Sequence, residues 1–334
     1  MRNLLIFLLF SVLLTSCEFF NYGYKYNRGD LPDSPVNLED FNTEYDDYNS
    51  TAPTLGWLIP FCFSTNRNSQ GGEFDVIYQP MNVNFSKETG ELKVTNEYSN
   101  WGIYMEDYSV IQQGLNKIKT SGDEFGPYLI VDQDAFSGEF SFTLLYATDI
   151  SGNFQINYTS NLSETGFSEP LPVEFLNSEF DDLYPTFNQE RSKLYFCSNR
   201  EGETFDIFFT ELPGQEGDLE QLLSDSAAHE IYKDTILSGS AEDKCPFAFE
   251  NVLVFASDRV GGFGGYDLYY SKFENNAWSE PVNFGAGINS ESDEYRPILI
   301  DEGVTAEETM MVFSSDRDGG EGGFDLYFVG VRIE

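Results

Sequence analysis

The residues with the clearest chemical potential lie between Val254 and Ser271, in the sequence VFASDRVGGFGGYDLYYS. An acid and a base, Asp258 and Arg259, precede a glycine-rich loop, and a second acid, Asp267, follows it. Glycine-rich loops that lead into a helix cradle phosphate groups, and an acid beside a base can bind a polar ligand. Here the loop joins two strand-like segments and lacks a Lys-Ser or Lys-Thr pair. The segment therefore argues against a nucleotide site.

The same unit occurs five times along the chain, and this changes its interpretation. Each copy has a strand that ends in a small residue, an acid or amide and usually an arginine, then a loop and a second aromatic strand. The five copies pair residues 63–67 with 74–78, 146–150 with 154–158, 196–200 with 205–209, 255–259 with 266–270, and 313–317 with 324–328. A period of nearly 60 residues fits four strands with long loops.

The repeats predict an all-β propeller of five four-stranded blades, with aromatic residues at 16% of the chain. A segment of the type WSEPVNF follows the fourth copy, and a related segment, residues 33–38, precedes the first copy. The last copy lacks this segment. We therefore expect the N-terminal strand to complete the last blade and close the ring.

One long interval leaves the number of blades open. From Arg67 to Ile150 is 83 residues, about 25 more than the later spacing. Strand-like segments at residues 91–95 and 101–105 predict a long hairpin insertion at about residues 79–120. A degenerate sixth blade is the alternative. The predicted organisation is a signal peptide at 1–16, a tether at 17–32 and one propeller domain at 33–334.

The units resemble the WD40-like propeller repeats of the TolB type, in the variant SDR-x-GG-x-GG-[YF]-D-[LI]-Y. The fourth copy carries this motif from Ser257 to Tyr269 and the fifth from Ser315 to Tyr327, whereas the second is degenerate. The resemblance covers about residues 33–334. It implies an envelope protein of Gram-negative bacteria, held by a lipid anchor.

The repeated acids and arginines are interpreted as structural. The second copy has Ile150 in place of arginine and Gln155 in place of aspartate, so both partners are lost together. This favours a salt bridge within each blade, since a buried charge without its partner is costly. The predicted pairs are Arg67 with Asp75, Arg200 with Asp206, Arg259 with Asp267, and Arg317 with Asp325.

A second acidic column precedes each copy and is expected on one rim of the ring. Its residues are Asp123, Glu124, Asp181, Asp182, Glu242, Asp243, Asp293 and Glu294. Such a rim could hold Ca²⁺ or a basic partner. The alternative is that these acids accept backbone N–H groups in turns, and we favour it. No cofactor is predicted, and the identity of any metal is left open.

The N-terminus carries export signals. Residues 1–16 have one basic residue and an apolar run too short for a bilayer span, which is typical of a signal peptide. Residues 14–17, LTSC, resemble the lipobox in which the cysteine is lipidated. The sequence therefore predicts a membrane-anchored lipoprotein with lipid on Cys17, in the outer membrane. Cys62, Cys197 and Cys245 are expected to form no disulfide framework.

The charge and the residue types limit the function classes. A net charge of −39 excludes nucleic acid as a partner, and the glycine loops do not indicate a nucleotide site. His229 is the only histidine, and no nucleophile triad is recognisable. The sequence therefore predicts no catalytic residue and a non-catalytic scaffold that binds an envelope protein or a cell-wall component. The alternative is a glycan-binding or glycan-hydrolysing propeller with carboxylates at the central channel.

The lipid on Cys17 is directly testable. In a Gram-negative host, labelled palmitate should be incorporated into the protein, and globomycin should block its processing. The Cys17→Ser variant should be neither labelled nor sensitive. An unlabelled wild-type protein that is processed normally under the inhibitor would refute lipidation.

Overall fold

The computed structural model describes residues 30–53, 59–86, 88–97, 105–133, 137–162, 166–214, 219–300 and 308–333. The chain forms a propeller of five antiparallel blades, as the repeats predicted. Blade 1 contains β2 (Asp47–Thr51), β3 (Ile59–Thr65), β4 (Asp75–Ser86) and β5 (Glu91–Thr95). Blade 2 contains β6 (Glu124–Gln133), β7 (Phe140–Thr148), β8 (Gln155–Ser160) and β9 (Leu171–Pro172).

The later blades repeat this order of strands. Blade 3 contains β10 (Asp182–Phe187), β11 (Lys193–Ser198), β12 (Asp206–Glu211) and β13 (Tyr232–Lys233). Blade 4 contains β14 (Asp243–Phe249), β15 (Val252–Ser257), β16 (Asp267–Glu274) and β18 (Val282–Asn283), with the short β17 (Ala277–Trp278) beside the far end of β16. Blade 5 contains β19 (Glu294–Ile300), β20 (Thr309–Ser315), β21 (Asp325–Val331) and the N-terminal β1 (Val36–Asn37).

The ring closes through the N-terminal strand, which confirms the prediction. In the antiparallel register of β1 and β21, Val36 lies opposite Phe328 and Asn37 opposite Tyr327. The amide of Leu38 continues the pairing by donating to the carbonyl of Leu326 at 2.9 Å. The N-terminal β1 thus pairs with the outer edge of the last blade and joins the two ends of the chain in one sheet.

The long insertion belongs to blade 1 and adds no sixth blade. The hairpin of β4 and β5 is as expected, but it is followed by helix α1 (Met105–Ile118). Ile111, Leu115 and Ile118 of this helix are buried against Phe142 and Phe167 of blade 2. Of the strand expected at 101–105, residues 101–104 lie outside the described residues and Met105 begins the helix.

The innermost strands β2, β6, β10, β14 and β19 surround the central channel, and each begins beside the preceding blade. Their first amides donate to the carbonyl at the start of that blade's third strand. These bonds are Glu124 to Phe74, Asp182 to Phe154, Asp243 to Phe205, Glu294 to Tyr266 and, across the closure, Asp47 to Phe324, at 2.7–2.9 Å. We call each of these contacts a blade joint.

The acid before each innermost strand strengthens the joint. We call these residues the joint acids: Asp46, Asp123, Asp181, Glu242 and Asp293. In four of the five joints the carboxylate accepts the amide of the same aromatic residue. These bonds run from Phe324 to Asp46, Phe74 to Asp123, Phe154 to Asp181 and Tyr266 to Asp293, at 2.8–2.9 Å. Blade 4 is the exception, because its joint acid, Glu242, has other side-chain partners.

The repeated arginines form salt bridges within their own blades, but not with the predicted aspartates. Each arginine pairs with the first residue of the innermost strand. The pairs are Arg67 with Asp47 at 2.5 Å, Arg200 with Asp182 at 2.5 Å, Arg317 with Glu294 at 2.9 Å, and Arg259 with Asp243. These acids, together with Glu124 in blade 2, are completely buried and are called the buried acids below. The partners predicted from the sequence, Asp75, Asp206, Asp267 and Asp325, are therefore wrong.

A common geometry explains the choice of partner. The arginine follows the second strand of its blade, whose end lies opposite the start of the innermost strand, as Ser257 lies opposite Asp243. The Arg259 side chain also donates to the Ser257 hydroxyl at 3.0 Å and to the Leu237 carbonyl at 2.9 Å. Its guanidinium lies 5.1 Å from the centre of the Phe255 ring. The arginine therefore holds the loop that enters the blade.

The four aspartates at the start of the third strands have separate roles. Asp267 accepts the amides of Phe263 and Gly264 at 2.8 and 3.1 Å, and Asp325 accepts those of Glu321 and Gly322 at 2.5 and 3.1 Å. They therefore order the glycine loops. The other two pair with lysines: Asp75 with Lys119 at 2.5 Å and Asp206 with Lys233 at 2.6 Å.

The glycine loops are packing elements between blades. A Cβ on Gly264 would overlap the carbonyl of Ser292, and one on Gly265 would overlap the carboxylate of Asp293, both in the next blade. Of the four glycines in this loop only Gly261 has positive φ, at 103°. Close approach of neighbouring blades, more than turn geometry, therefore accounts for the glycines.

Blade 2 lacks the arginine but keeps its buried acid, so the two partners are not lost together as the sequence suggested. Ile150 is exposed, and Glu124 accepts hydrogen bonds from the hydroxyls of Thr120 at 2.5 Å and Thr148 at 3.4 Å. Its second carboxylate oxygen, Oε2, is buried without a partner among the described residues. Burial, with a further contribution from the charge of Asp75, raises the pKa of Glu124 to about 7.

The remaining sequence predictions fall partly outside the described residues. Residues 1–16 and Cys17 lie there, so the signal peptide and the lipid anchor stay predictions. Cys62, Cys197 and Cys245 are buried free thiols, as expected. No helix among the described residues is long and apolar enough to cross a membrane.

The salt-bridge pairing can be tested by double-mutant cycles on the free energy of unfolding. Arg259→Gln with Asp243→Asn should show a coupling energy of about 1–3 kcal/mol, because the two groups share one buried ion pair. Arg259→Gln with Asp267→Asn should be nearly additive. A larger coupling to Asp267 than to Asp243 would contradict the pairing.

The unpaired Glu124 should make stability depend on pH. Its folded pKa is raised above the unfolded value, so stability present below about pH 4.5 is lost as pH rises through about 7. Glu124→Gln should therefore raise Tm at pH 8 by at least about 2 °C relative to the wild type, with a smaller gain at pH 5.

The control is Asp182→Asn, which removes a buried acid that has its arginine. This variant should lower Tm at both pH values. A Glu124→Gln variant with equal effects on Tm at pH 5 and pH 8 would show that Glu124 does not titrate in this range.

Candidate functional site

A cavity of about 430 Å³ lies at the joint end of the central channel. The aromatic residues of the joints and the first residues of the innermost strands form its wall. Its lining comprises Asp46, Tyr48, Phe74, Phe125, Phe154, Asp181, Leu183, Tyr184, Phe205, Lys244, Tyr295 and Phe324. Eight of these twelve side chains are aromatic and come from blades 1, 2, 3 and 5, whereas blade 4 contributes Lys244.

The aromatic rings around the cavity pack against one another in stacked and tilted pairs. Tyr48 lies 4.9 Å from Phe324 and is stacked at 5.4 Å on Tyr295, measured between ring centres. Phe125 is stacked at 5.3 Å on Phe154 and lies 5.0 Å from Phe74. Mutual packing fixes the rings, so the cavity wall is preformed for a ligand with apolar faces.

Two carboxylates, Asp46 and Asp181, line the cavity from blades 1 and 3. The Asp46 carboxylate accepts one amide from Phe324 at 2.8 Å and one from the Asn66 side chain at 3.0 Å. Asp181 accepts equivalent bonds from Phe154 at 2.9 Å and Asn199 at 3.4 Å. Each is partly exposed and has no salt-bridge partner among the described residues. Both can therefore accept further hydrogen bonds from a ligand.

Blade 4 places a polar cluster of Glu242, Lys244 and Tyr266 on one side of this wall. Lys244 stands where the other blades have Tyr48, Phe125, Leu183 and Tyr295. Its amino group contacts the Glu242 carboxylate at 2.5 Å, and the Tyr266 hydroxyl donates to the same carboxylate. Although burial opposes the shift, these hydrogen bonds and the charge of Lys244 lower the pKa of Glu242. Glu242 therefore remains ionised.

The sequence contained a signal for this cluster. Comparison of the five copies gives Asp-Asp, Asp-Glu or Glu-Asp at each joint, followed by an apolar residue in four copies and by lysine in one. A charged residue in an otherwise apolar channel position marks a site that breaks the repeat. Sequence reasoning grouped Glu242 with the acidic rim and did not single out Lys244.

The floor of the cavity is formed where the innermost strands bulge. The bulge residues Asn49, Gly126, Tyr184, Cys245 and Arg296 all have positive φ, between 47° and 58°. Only one of them is glycine, and a Cβ on Gly126 would lie 2.5 Å from the ring of Tyr184. Positive φ in a non-glycine residue is strained, so tight packing around the axis must maintain these conformations.

Arg296 spans the channel beneath the floor. It is completely buried and donates to the carbonyls of Pro246 at 3.1 Å and Pro127 at 3.3 Å, and its guanidinium lies 5.3 Å from the centre of the Tyr184 ring. One side chain of blade 5 thus contacts blades 2, 3 and 4. Its Nε has no partner among the described residues.

The hydroxyls of Tyr48, Tyr184 and Tyr295 and the thiol of Cys245 form a hydrogen-bonded group above Arg296. Burial raises the pKa of each of them, that of Cys245 to about 12. The floor is therefore neutral apart from the guanidinium below it.

The predicted acidic rim divides into two sets. Glu124, Asp182, Asp243 and Glu294 are buried acids and do not lie on a rim, because they begin the innermost strands. Asp123, Asp181, Glu242 and Asp293 are joint acids at the mouth of the channel, where all but Glu242 accept backbone amides. Within the described ranges, no three Asp, Glu, His or Cys side chains are grouped so that they could hold a metal ion.

His229 lies away from the cavity. Its ring is stacked at 4.3 Å on Phe175, and Nε2 lies 3.2 Å from the Asp225 carboxylate. Both contacts order the segment after helix α2 (Leu219–Leu223). The structure therefore gives His229 a packing role.

Comparison with known proteins identifies the fold but no family. No protein-family model matches the chain, and no curated protein matches it. Among solved structures it is similar to a GH62 hydrolase in complex with xylotriose, at 11% identity and a TM-score of 0.50, with 92% of this chain and 99% of that chain covered. It is also similar to a GH43 protein of Bacillus licheniformis, at 11% identity and a TM-score of 0.51, with 90% of this chain and 55% of that chain covered.

These findings correct the resemblance to TolB-type WD40-like propellers. No family model supports it, and the solved structures that share the fold include a GH43 protein and a GH62 hydrolase. The motif misled because most of its residues build the blade: the serine and arginine hold the entering loop, and the glycines allow neighbouring blades to approach. The comparison confirms a five-bladed propeller as the fold of this chain.

Proposed function

We propose that this protein binds a glycan in the central cavity and hydrolyses it. The observation that carries the proposal is the lining, in which aromatic rings from four of the five blades surround the carboxylates Asp46 and Asp181. Sugar rings present apolar C–H faces that stack on aromatic rings, and their hydroxyls donate to carboxylates. A cavity with apolar walls and a few convergent polar groups is the usual form of a small-ligand site.

This proposal replaces the non-catalytic scaffold expected from the sequence. A scaffold should present a shallow face, whereas this propeller gathers aromatic rings and carboxylates in one cavity. The solved structures that share the fold include a GH62 hydrolase in complex with xylotriose. Both findings favour the glycan-directed alternative over a protein without enzymatic activity.

The chemistry would follow the two-carboxylate scheme of glycoside hydrolysis. Water adds across the glycosidic bond: one carboxyl group donates a proton to the leaving oxygen, and a carboxylate activates the water or attacks the sugar. Glu242 suits the second role, because Lys244 and Tyr266 keep it ionised beside the cavity. Asp46 and Asp181 are the candidates for the acid, since their carboxyl groups line the cavity. The one that serves must carry a proton when the bond is cleaved, although it can bind a ligand as a carboxylate before that step.

The test is a screen of the purified protein for binding and for release of reducing ends over a panel of oligosaccharides. Once a substrate is found, Glu242→Gln should lower kcat by about 10²–10⁴. Of Asp46→Asn and Asp181→Asn, the one that removes the acid should lose activity on natural glycans but retain it on aryl glycosides with an activated leaving group. Glu274→Gln, an exposed substitution at the end of β16, is the matched control and should leave kcat unchanged.

The outcomes separate the two halves of the proposal. Binding that the cavity variants weaken, without bond cleavage, would contradict the hydrolysis and leave the binding. Absence of both binding and cleavage across the panel would contradict the proposed function as a whole.

A further inference from the structure

The electrostatics of the cavity indicate which kind of sugar fits it. Asp46 and Asp181 have only neutral amides as hydrogen-bond partners among the described residues, so no cation is paired with either carboxylate there. Lys244 is the one cation among the described lining residues, and Glu242 at 2.5 Å balances its charge. The cavity lining is therefore net negative.

Further acids surround the mouth of the channel. At each joint, the backbone amide of the joint acid donates to the side chain of the residue that precedes the repeated arginine, or that precedes Ile150 in blade 2. In three joints this residue is also an acid: Asp149, Asp258 and Asp316, at 2.8–2.9 Å. The neighbouring arginines do not offset them, since each is paired with a buried acid. With −39 on the whole chain, the field at the mouth attracts cations.

The aromatic rings favour the same class of ligand. A cation over the face of an aromatic ring is stabilised by the negative charge density of that face, as in sites that bind quaternary ammonium groups. The wall already holds one such contact, because the Lys244 ammonium lies 4.5 Å from the centre of the Phe205 ring and 5.2 Å from that of Tyr266. Among the described residues no cation lies over the rings of Phe74 and Phe324, which line the same cavity and could accept a ligand cation in the same way.

We propose that the glycan carries a free amino group, and that its ammonium is held between the aromatic wall and the carboxylates Asp46 and Asp181. This inference rests on the proposed function and specifies its substrate class: a sugar with an unacetylated amine, in preference to its N-acetylated or neutral counterpart. The buried Arg296 guanidinium lies beneath the tyrosine floor and repels cations from there. The ammonium therefore binds at the wall and not at the floor.

The experiment compares three oligosaccharides of equal length: a glucosamine trimer, an N-acetylglucosamine trimer and a glucose trimer. Binding to the purified protein is measured by calorimetry at pH 6, where the amines are protonated, in low and high salt. The glucosamine trimer should bind at least about tenfold more tightly than the other two. Its affinity should fall in high salt, and tetramethylammonium should displace it.

Variants locate the interaction. Asp181→Asn and Asp46→Asn keep the size of the side chain and its acceptor for the joint amide, and each should reduce the glucosamine preference by at least about fivefold. Asp132→Asn, at the end of β6 that lies away from the joint, removes one charge outside the cavity lining and should leave the preference unchanged. Competition by tetramethylammonium tests the site in the unsubstituted protein, so the test does not depend on the variants.

The possible failures are distinguishable. Equal or tighter binding of the neutral or N-acetylated trimer would overturn the ammonium proposal and leave the proposed glycan function intact. Binding of tetramethylammonium without binding of any oligosaccharide would overturn both. A glucosamine preference that survives in Asp46→Asn and Asp181→Asn, or that tetramethylammonium does not reduce, would also overturn the proposal.

Discussion

The blade joint is the interaction on which the rest of the structure depends. At every joint, the first amide of an innermost strand donates to the carbonyl of an aromatic residue at the start of the preceding blade's third strand. In four joints the backbone amide of the same aromatic residue donates to the carboxylate of the joint acid. The aromatic residue at that position is thereby held at the mouth of the channel. Because the ring closes, the five joints set one another's positions, and the cavity wall follows from the contacts that assemble the blades.

The centre of the ring is held by the bulges of the innermost strands and by Arg296, not by the joints. The bulge in each innermost strand turns one residue into the left-handed region, and these residues fill the channel. Arg296 then connects blade 5 to three others through carbonyl hydrogen bonds and the face of Tyr184. A guanidinium remains charged even when buried, so its environment must be rigid and rich in acceptors. The result is a closed floor that makes the channel mouth a cavity instead of a pore.

Much of the fold could be predicted from the sequence, because repetition shows which residues occupy equivalent places. The five blades and the closing strand followed from comparison of the copies and from the missing last segment. The partners of the arginines did not follow, since Asp243 and Asp267 recur with the same period and only the three-dimensional register distinguishes them. Helix α1 was not predicted, because the strand-like sequences on either side of it outweighed the helical spacing of its apolar residues Ile111, Leu115 and Ile118.

The site was harder to predict than the fold for a physical reason. Repeats reveal what is common to the blades, whereas a ligand site in a closed ring depends on what differs between them. Glu242 stands where the other joints have aspartate, and Lys244 stands where the other blades have an apolar residue. The two side chains contact each other, and Glu242 also accepts a hydrogen bond from Tyr266, just before the third strand of the blade. Likewise, Glu124 is the buried acid without an arginine partner, because Ile150, 26 positions later, occupies the place of the repeated arginine.

The central claim is that the ligand site is the aromatic cavity at the mouth of the channel. The most direct measurement is a crystal structure of the protein with a bound oligosaccharide. The account predicts a sugar ring stacked on the wall formed by Phe125, Phe154 and Phe205, with a polar group within hydrogen-bond distance of Asp46 or Asp181. A sugar bound on the outer strands of the blades, with the cavity unchanged, would contradict it.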